Sequence, residues 1–89
     1  MARQVQKLTA RKVETTKEAG TYEDGGGLRL VVSTTGRRSW VLRYQLDGKR
    51  REMGLGAYPL ISLADAREKA HAARTLMVEG KDPLAVRDR

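Results

Sequence analysis

The sequence predicts an α+β fold: a three-stranded antiparallel β-sheet packed against a C-terminal α-helix, with a short N-terminal helix or arm in front. Three observations predict it. Between Leu28 and Gly56, apolar and polar residues alternate with a period of two in three runs separated by turn signals. From Leu63 to Met77 the apolar period changes to three and four, the spacing of one helix face. The charge is also segregated. Leu28 to Arg51 holds seven cations (Arg29, Arg37, Arg38, Arg43, Lys49, Arg50, Arg51) against Asp47 alone, which is +6 of a net charge of +7.

Taken in chain order, Met1 to Lys7 is a polar, basic arm, and Thr9 can cap a short helix through Val13 before Glu14 to Gly20 interrupts the pattern. Thr21 to Gly27 reads as a turn-rich lead-in ending in three glycines. In the first strand Leu28, Leu30 and Val32 share one face, with Arg29 and Val31 on the other; Thr34 to Arg37 makes the turn. In the second, Ser39 to Leu46, the positions Trp40, Leu42, Tyr44 and Leu46 alternate with Val41, Arg43 and Gln45. Asp47-Gly48 is a strong two-residue hairpin signal. The third strand, Lys49 to Gly56, turns Met53 and Leu55 inward, and Gly54 and Gly56 mark a bulge or a close backbone approach.

Ser62 with Asp65 forms a capping box, so a helix starts at Leu63. Its small apolar stripe (Leu63, Ala66, Ala70, Ala73, Met77) suits a helix lying flat on a sheet, and Gly80 followed by Pro83 ends it. The domain boundaries expected are an arm and short helix over 1–20, a β-β-β-α unit over 21–80, and the start of a linker over 81–89.

The chain's 89 residues fit one small domain with a single modest core. Without cysteine there is neither a disulfide framework nor a thiolate metal site. No apolar run approaches the roughly 20 residues that span a bilayer, and no apolar signal core follows Met1. A soluble, cytoplasmic protein is expected, with no cofactor and no small-molecule substrate. Catalysis is not expected either. The one histidine, His71, sits in the Ala-rich helix and meets none of the geometric roles of an active site. Gly54 to Pro59 fails the dinucleotide fingerprint at its third glycine, and Gly25-Gly26-Gly27 lacks the Lys-Ser/Thr of a phosphate loop.

The basic strands invite two readings. In one, Lys and Arg keep a small sheet from pairing at its edges. In the other, the sheet meets a polyanion: Arg29, Arg43 and Gln45 project from the polar face toward base edges in a major groove. Arg37, Arg38, Lys49, Arg50 and Arg51, at the turns, hold phosphates or neighbouring bases, and Arg3, Lys7 and Lys12 add contacts. RNA is disfavoured because Trp40 and Tyr44 fall on the core face rather than on an exposed stacking surface. A protein-interaction module using the sheet edge or helix face is the alternative.

One resemblance sharpens the second reading. Tyr22-x-Asp24-x-x-Gly27-Leu28-x-Leu30-x-Val32, Gly36-x-x-x-Trp40, Arg43-Tyr44 and Gly48-Lys49-Arg50 are followed by Met53-Gly54-Leu55-Gly56-x-Tyr58-Pro59, Ser62-Leu63-Ala64-x-Ala66-Arg67 and Gly80-x-Asp82-Pro83. Over roughly Leu8 to Pro83 this order resembles the N-terminal arm-type DNA-binding domain of prophage integrases, the phage-type tyrosine recombinases. The resemblance implies binding of double-stranded DNA at arm-type sites of an attachment site, alongside other recombinase protomers. It also implies that the strand-cutting tyrosine belongs to a separate C-terminal domain, so this chain is expected to be an excised domain. Tyr22, Tyr44 and Tyr58 match positions of the binding domain, and none is expected to be a nucleophile.

Overall fold

The computed structural model describes residues 7–87. Arg3 and most of the basic arm therefore lie outside the described residues, as do the last two positions of the expected linker. The elements run α1 (Ala10–Thr15), β1 (Gly20–Gly25), β2 (Leu28–Val32), β3 (Arg38–Leu46), β4 (Lys49–Ala57), α2 (Leu63–Val78) and α3 (Pro83–Arg87). The architecture is α+β as expected, with one more strand. The strands form a single antiparallel meander in the order β1-β2-β3-β4.

The extra strand comes from the glycine-rich lead-in. Gly20 to Glu23 pair with Val32 to Arg29, and Asp24, inward by the same alternation as Tyr22, is the bulged residue between Glu23 and Gly25. Gly26 and Gly27 then close the hairpin with φ of 62° and 90°. Gly27 has a second reason to be glycine: a Cβ there would lie 2.1 Å from the Arg43 carbonyl oxygen. The Asp47-Gly48 turn takes φ of 52° and 76°, the doubly positive geometry whose twist matches that of the flanking strands.

Strand parity puts Leu28, Leu30, Val32, Trp40, Leu42 and Tyr44 on one face, where α2 covers them with Leu63, Ala66, Ala70 and Ala73. The alanines let the helix approach closely. Trp40 is fully buried, and its indole Nε1–H donates to the Ile61 carbonyl at 2.7 Å. Each large apolar side chain removed from water here contributes about 1.5 to 3 kcal/mol. In β4 the register moves from Trp40↔Gly56 to Val41↔Gly54, so Leu55 is the bulged residue and its side chain reaches the core.

The helix ends follow the sequence signals. Thr9 caps α1, accepting from the Lys12 amide, and Val13 on that helix enters the core. Ser62 and Asp65 form the full reciprocal capping box of α2. At the other end Gly80 (φ 81°) donates to the Met77 carbonyl and Lys81 to the Leu76 carbonyl, a Schellman closure. The segment expected to begin a linker carries α3, with Pro83 buried and the Arg87 guanidinium donating to the Gly54 carbonyl.

Candidate nucleic-acid interface

Among the described residues the helices pack on one face of the sheet, and the residues of the other face are half-buried to exposed. On the open face the register lines up Glu23, Arg29, Val41 and Gly54 in one row across all four strands, and Thr21, Val31, Ser39 and Ala57 in the next. Arg43 pairs with Glu52, and Gln45 with Arg50, toward the Asp47-Gly48 turn. Arg29, Arg43 and Gln45 thus share the open face, where their alternation with core residues predicted them.

The two central arginines are not idle. Arg29 makes an ion pair with Glu23 on the neighbouring strand, and its side chain is 14% exposed with its Nε buried and unpartnered. Arg43 directs Nε and Nη2 at one Glu52 oxygen, at 3.3 and 3.1 Å. Gln45, Arg50, Lys49 and Arg37 are exposed, and their side chains have no hydrogen-bond or ion-pair partner among the described residues. Beside Arg37 the glycines of β4 leave a shallow depression bordered by Ser39, Val41, Gly54 and Ala57.

Two of the eight cation and amide positions expected at the interface belong to the helix-covered side. Arg38 sits two residues before Trp40, and its Nη1 donates to the carbonyls of Val13 and Glu14 at 2.8 and 3.0 Å while its guanidinium stacks on Tyr58. Arg38 therefore fastens α1 to the sheet. Arg51 pairs in register with the buried Tyr44 and lies 3.7 Å from Asp82. Lys49 has the same parity, but it stands at the hairpin end, exposed.

Several polar residues matter structurally in ways local spacing does not announce. Asp24, 2% exposed, accepts two bonds at 2.9 Å from the Arg67 guanidinium, through Nε and Nη2, and a third from the Leu8 amide. Burial alone would raise its pKa; the Arg67 and Leu8 hydrogen bonds, with the charges of Arg67 and Arg74, outweigh that and hold the carboxyl below its usual range. Arg67 also donates to the Leu8 carbonyl, and Arg74 to the Gly26 carbonyl, so α2 grips both the incoming chain and the first hairpin. The Tyr44 hydroxyl donates to Asp82 at 2.6 Å. Burial first, and then that bond to a carboxylate, push the phenol up to about 12.

A small α+β module with one sheet face packed and the other polar, cationic and uncovered defines the class. Within it, a family model described as the arm DNA-binding domain matches residues 3–89, and the chain belongs to that family. It is 41% identical over 80 residues to the integrase of Shigella phage Sf6 and, equally, to the prophage integrase IntS of Escherichia coli K12, covering 86% of this chain and 21% of each relative. With the integrase of Enterobacteria phage P4 it shares 42% identity over 85 residues, 90% of this chain and 19% of that one. The chain spans about a fifth of the length of these relatives.

Proposed function

We propose that this chain is the DNA-binding N-terminal domain of a phage-type integrase, acting in site-specific integration and excision in the cytoplasm. In this reading it recognises arm-type sequences of an attachment site in double-stranded DNA, next to other protomers of the recombinase. Strand cutting belongs to the remainder of such a protein. The observation that carries the reading is the open sheet face. Arg29, Arg43 and Gln45 stand on it together, with exposed Arg37, Lys49 and Arg50 at the two hairpin ends. A sheet fits the roughly 12 Å major groove, where Arg can bridge guanine O6 and N7 and Gln can bridge adenine, while the end cations reach phosphates.

The test is fluorescence anisotropy of the domain on labelled attachment-arm duplexes and on a scrambled duplex, across a salt series. A preference for the arm duplex that persists at high salt is the expected result. Equal binding that salt erases reduces the face to a nonspecific cationic surface, and no binding favours a protein-interaction role. Replacing Arg43 by Ala is expected to cost about 1 to 3 kcal/mol on the arm duplex and to relax sequence preference. Unchanged affinity and preference would remove Arg43 from the base-contacting set.

A further inference from the structure

The open face contains two carboxylates where a polyanion is expected to dock, and their placement is ordered. Arg29 on β2 and Arg43 on β3 form a cationic stripe along the middle of the sheet. Glu23 lies on the edge strand β1, directly paired with Arg29; Glu52 lies on the opposite edge strand β4, directly paired with Arg43. Each stripe arginine is thus flanked by an acid from the nearer sheet edge. The acids remain about half exposed, at 53% and 54%.

We propose that Glu23 and Glu52 are specificity-determining residues that admit base edges to the arginine stripe and reject phosphates. This rests on the DNA-binding reading above. Each arginine is held through a single carboxylate oxygen, Glu23 Oε1 for Arg29 and Glu52 Oε2 for Arg43. Neither pair uses the two-oxygen fork that makes arginine–carboxylate bonds strongest. The guanidinium groups are therefore pre-positioned and exchangeable. A guanine edge offers two acceptors matched to the fork and carries no net charge, so it can replace the carboxylate as partner without forcing two anions together.

A phosphate in the same place meets a carboxylate beside the arginine it seeks, and like charges brought together oppose that complex. The unguarded cations, Arg37, Lys49 and Arg50, lie at the hairpin ends. Phosphate binding is thereby directed to the ends of the sheet, and the central stripe is reserved for bases.

The experiment compares the wild-type chain with E23Q, E52Q and the double variant. The probes are a duplex enriched from a randomised pool on the wild-type chain and a shuffled duplex of the same composition. The double variant is expected to bind the shuffled duplex about fivefold or more tightly, with a salt slope steeper by about one per released arginine. The selected duplex gains less, so the discrimination ratio contracts. Each single variant shifts part of the way. An unchanged ratio, or a parallel fall on both duplexes, overturns the proposal while leaving DNA binding intact. Failure of the wild-type chain to enrich any sequence or bind any duplex overturns the DNA-binding reading and this proposal with it. Thermal melting accompanies the titrations; the Arg43–Glu52 pair is exposed on both sides and adds little stability, so a large drop in melting temperature for E52Q would show a structural role and also count against the proposal.

Discussion

The two faces of the sheet carry arginines in nearly equal measure and use them in opposite ways. On the covered side, Arg38 holds two carbonyls of α1, while from α2 Arg67 and Arg74 hold Asp24 and the first hairpin. On the open side the side-chain partners of Arg29 and Arg43 among the described residues are half-exposed carboxylates, Glu23 and Glu52, and Arg50 is unpaired among the same residues. The difference teaches that net charge does not measure an interface. A guanidinium with carbonyl and buried carboxylate partners is part of the fold; one whose partner is a solvated carboxylate can exchange it. Changes on the covered side should therefore move stability, and changes on the open side should move DNA affinity.

The largest expected effect tests the covered side at its centre. Asp24→Ala leaves Arg67 and the Leu8 amide without their acceptor, and should destabilise by about 2 to 4 kcal/mol, near the lower part of the range for orphaning a buried partner because Arg67 is 29% exposed. In a domain of this size that lowers the melting temperature by more than about 10 °C. The pH dependence has a definite sign. Because the folded carboxyl is held below its unfolded value, its contribution is present above about pH 4 and is lost as pH falls through the folded pKa. Urea melts from pH 7 to 3 should show the wild-type advantage over the variant shrinking only at the acid end.

A sharper cut is Arg38→Ala, because Arg38 belongs to the same run of cations as Arg37 yet faces the helices. Loss of its two carbonyl bonds and its stacking on Tyr58 should cost about 1 to 2 kcal/mol of stability. Measured where both proteins are folded, DNA affinity should change less than about twofold, and the salt slope should not fall, since no phosphate contact is removed. A shallower slope with unchanged melting would break the division between the faces.

That division was half legible in the chain itself. The period-two pattern identified β2, β3 and β4, the core face and the open positions of Arg29, Arg43 and Gln45. The same parity places Arg38 two residues before Trp40 and Arg51 two before Met53, but clustering of charge at the turns masked it. β1 was hidden for a different reason. Its inward positions are Gly20, Tyr22 and Asp24, so the face that normally betrays a strand carries one aromatic, a glycine and a buried carboxylate. What makes Asp24 acceptable inside is Arg67, 43 residues away, and no local spacing announces a partner at that distance. The motif containing Tyr22, Asp24 and Gly27 marked the segment without explaining it; the packing explains it.

The smallest expected effect probes where the covered face runs out, at Tyr44 and Asp82. Tyr44→Phe keeps the buried ring and removes only the hydroxyl that donates to Asp82, so near neutral pH it should cost about 1 kcal/mol. Alkaline pH distinguishes this bond from simple packing. The folded phenol titrates at about 12, above the usual value near 10, so its contribution is complete below about pH 10 and disappears as pH rises toward 12. The phenylalanine variant has no such proton to lose. Paired urea melts from pH 8 to 12 should therefore show the wild-type margin constant up to about 10 and closing above it, because the other titrations are common to both proteins and cancel. A margin that stays flat throughout would mean that Asp82 does not hold the Tyr44 proton. The link from the sheet to the start of α3 would then rest on its other contacts, among them the Arg51–Asp82 ion pair, the buried Pro83 and the Arg87 bond to Gly54.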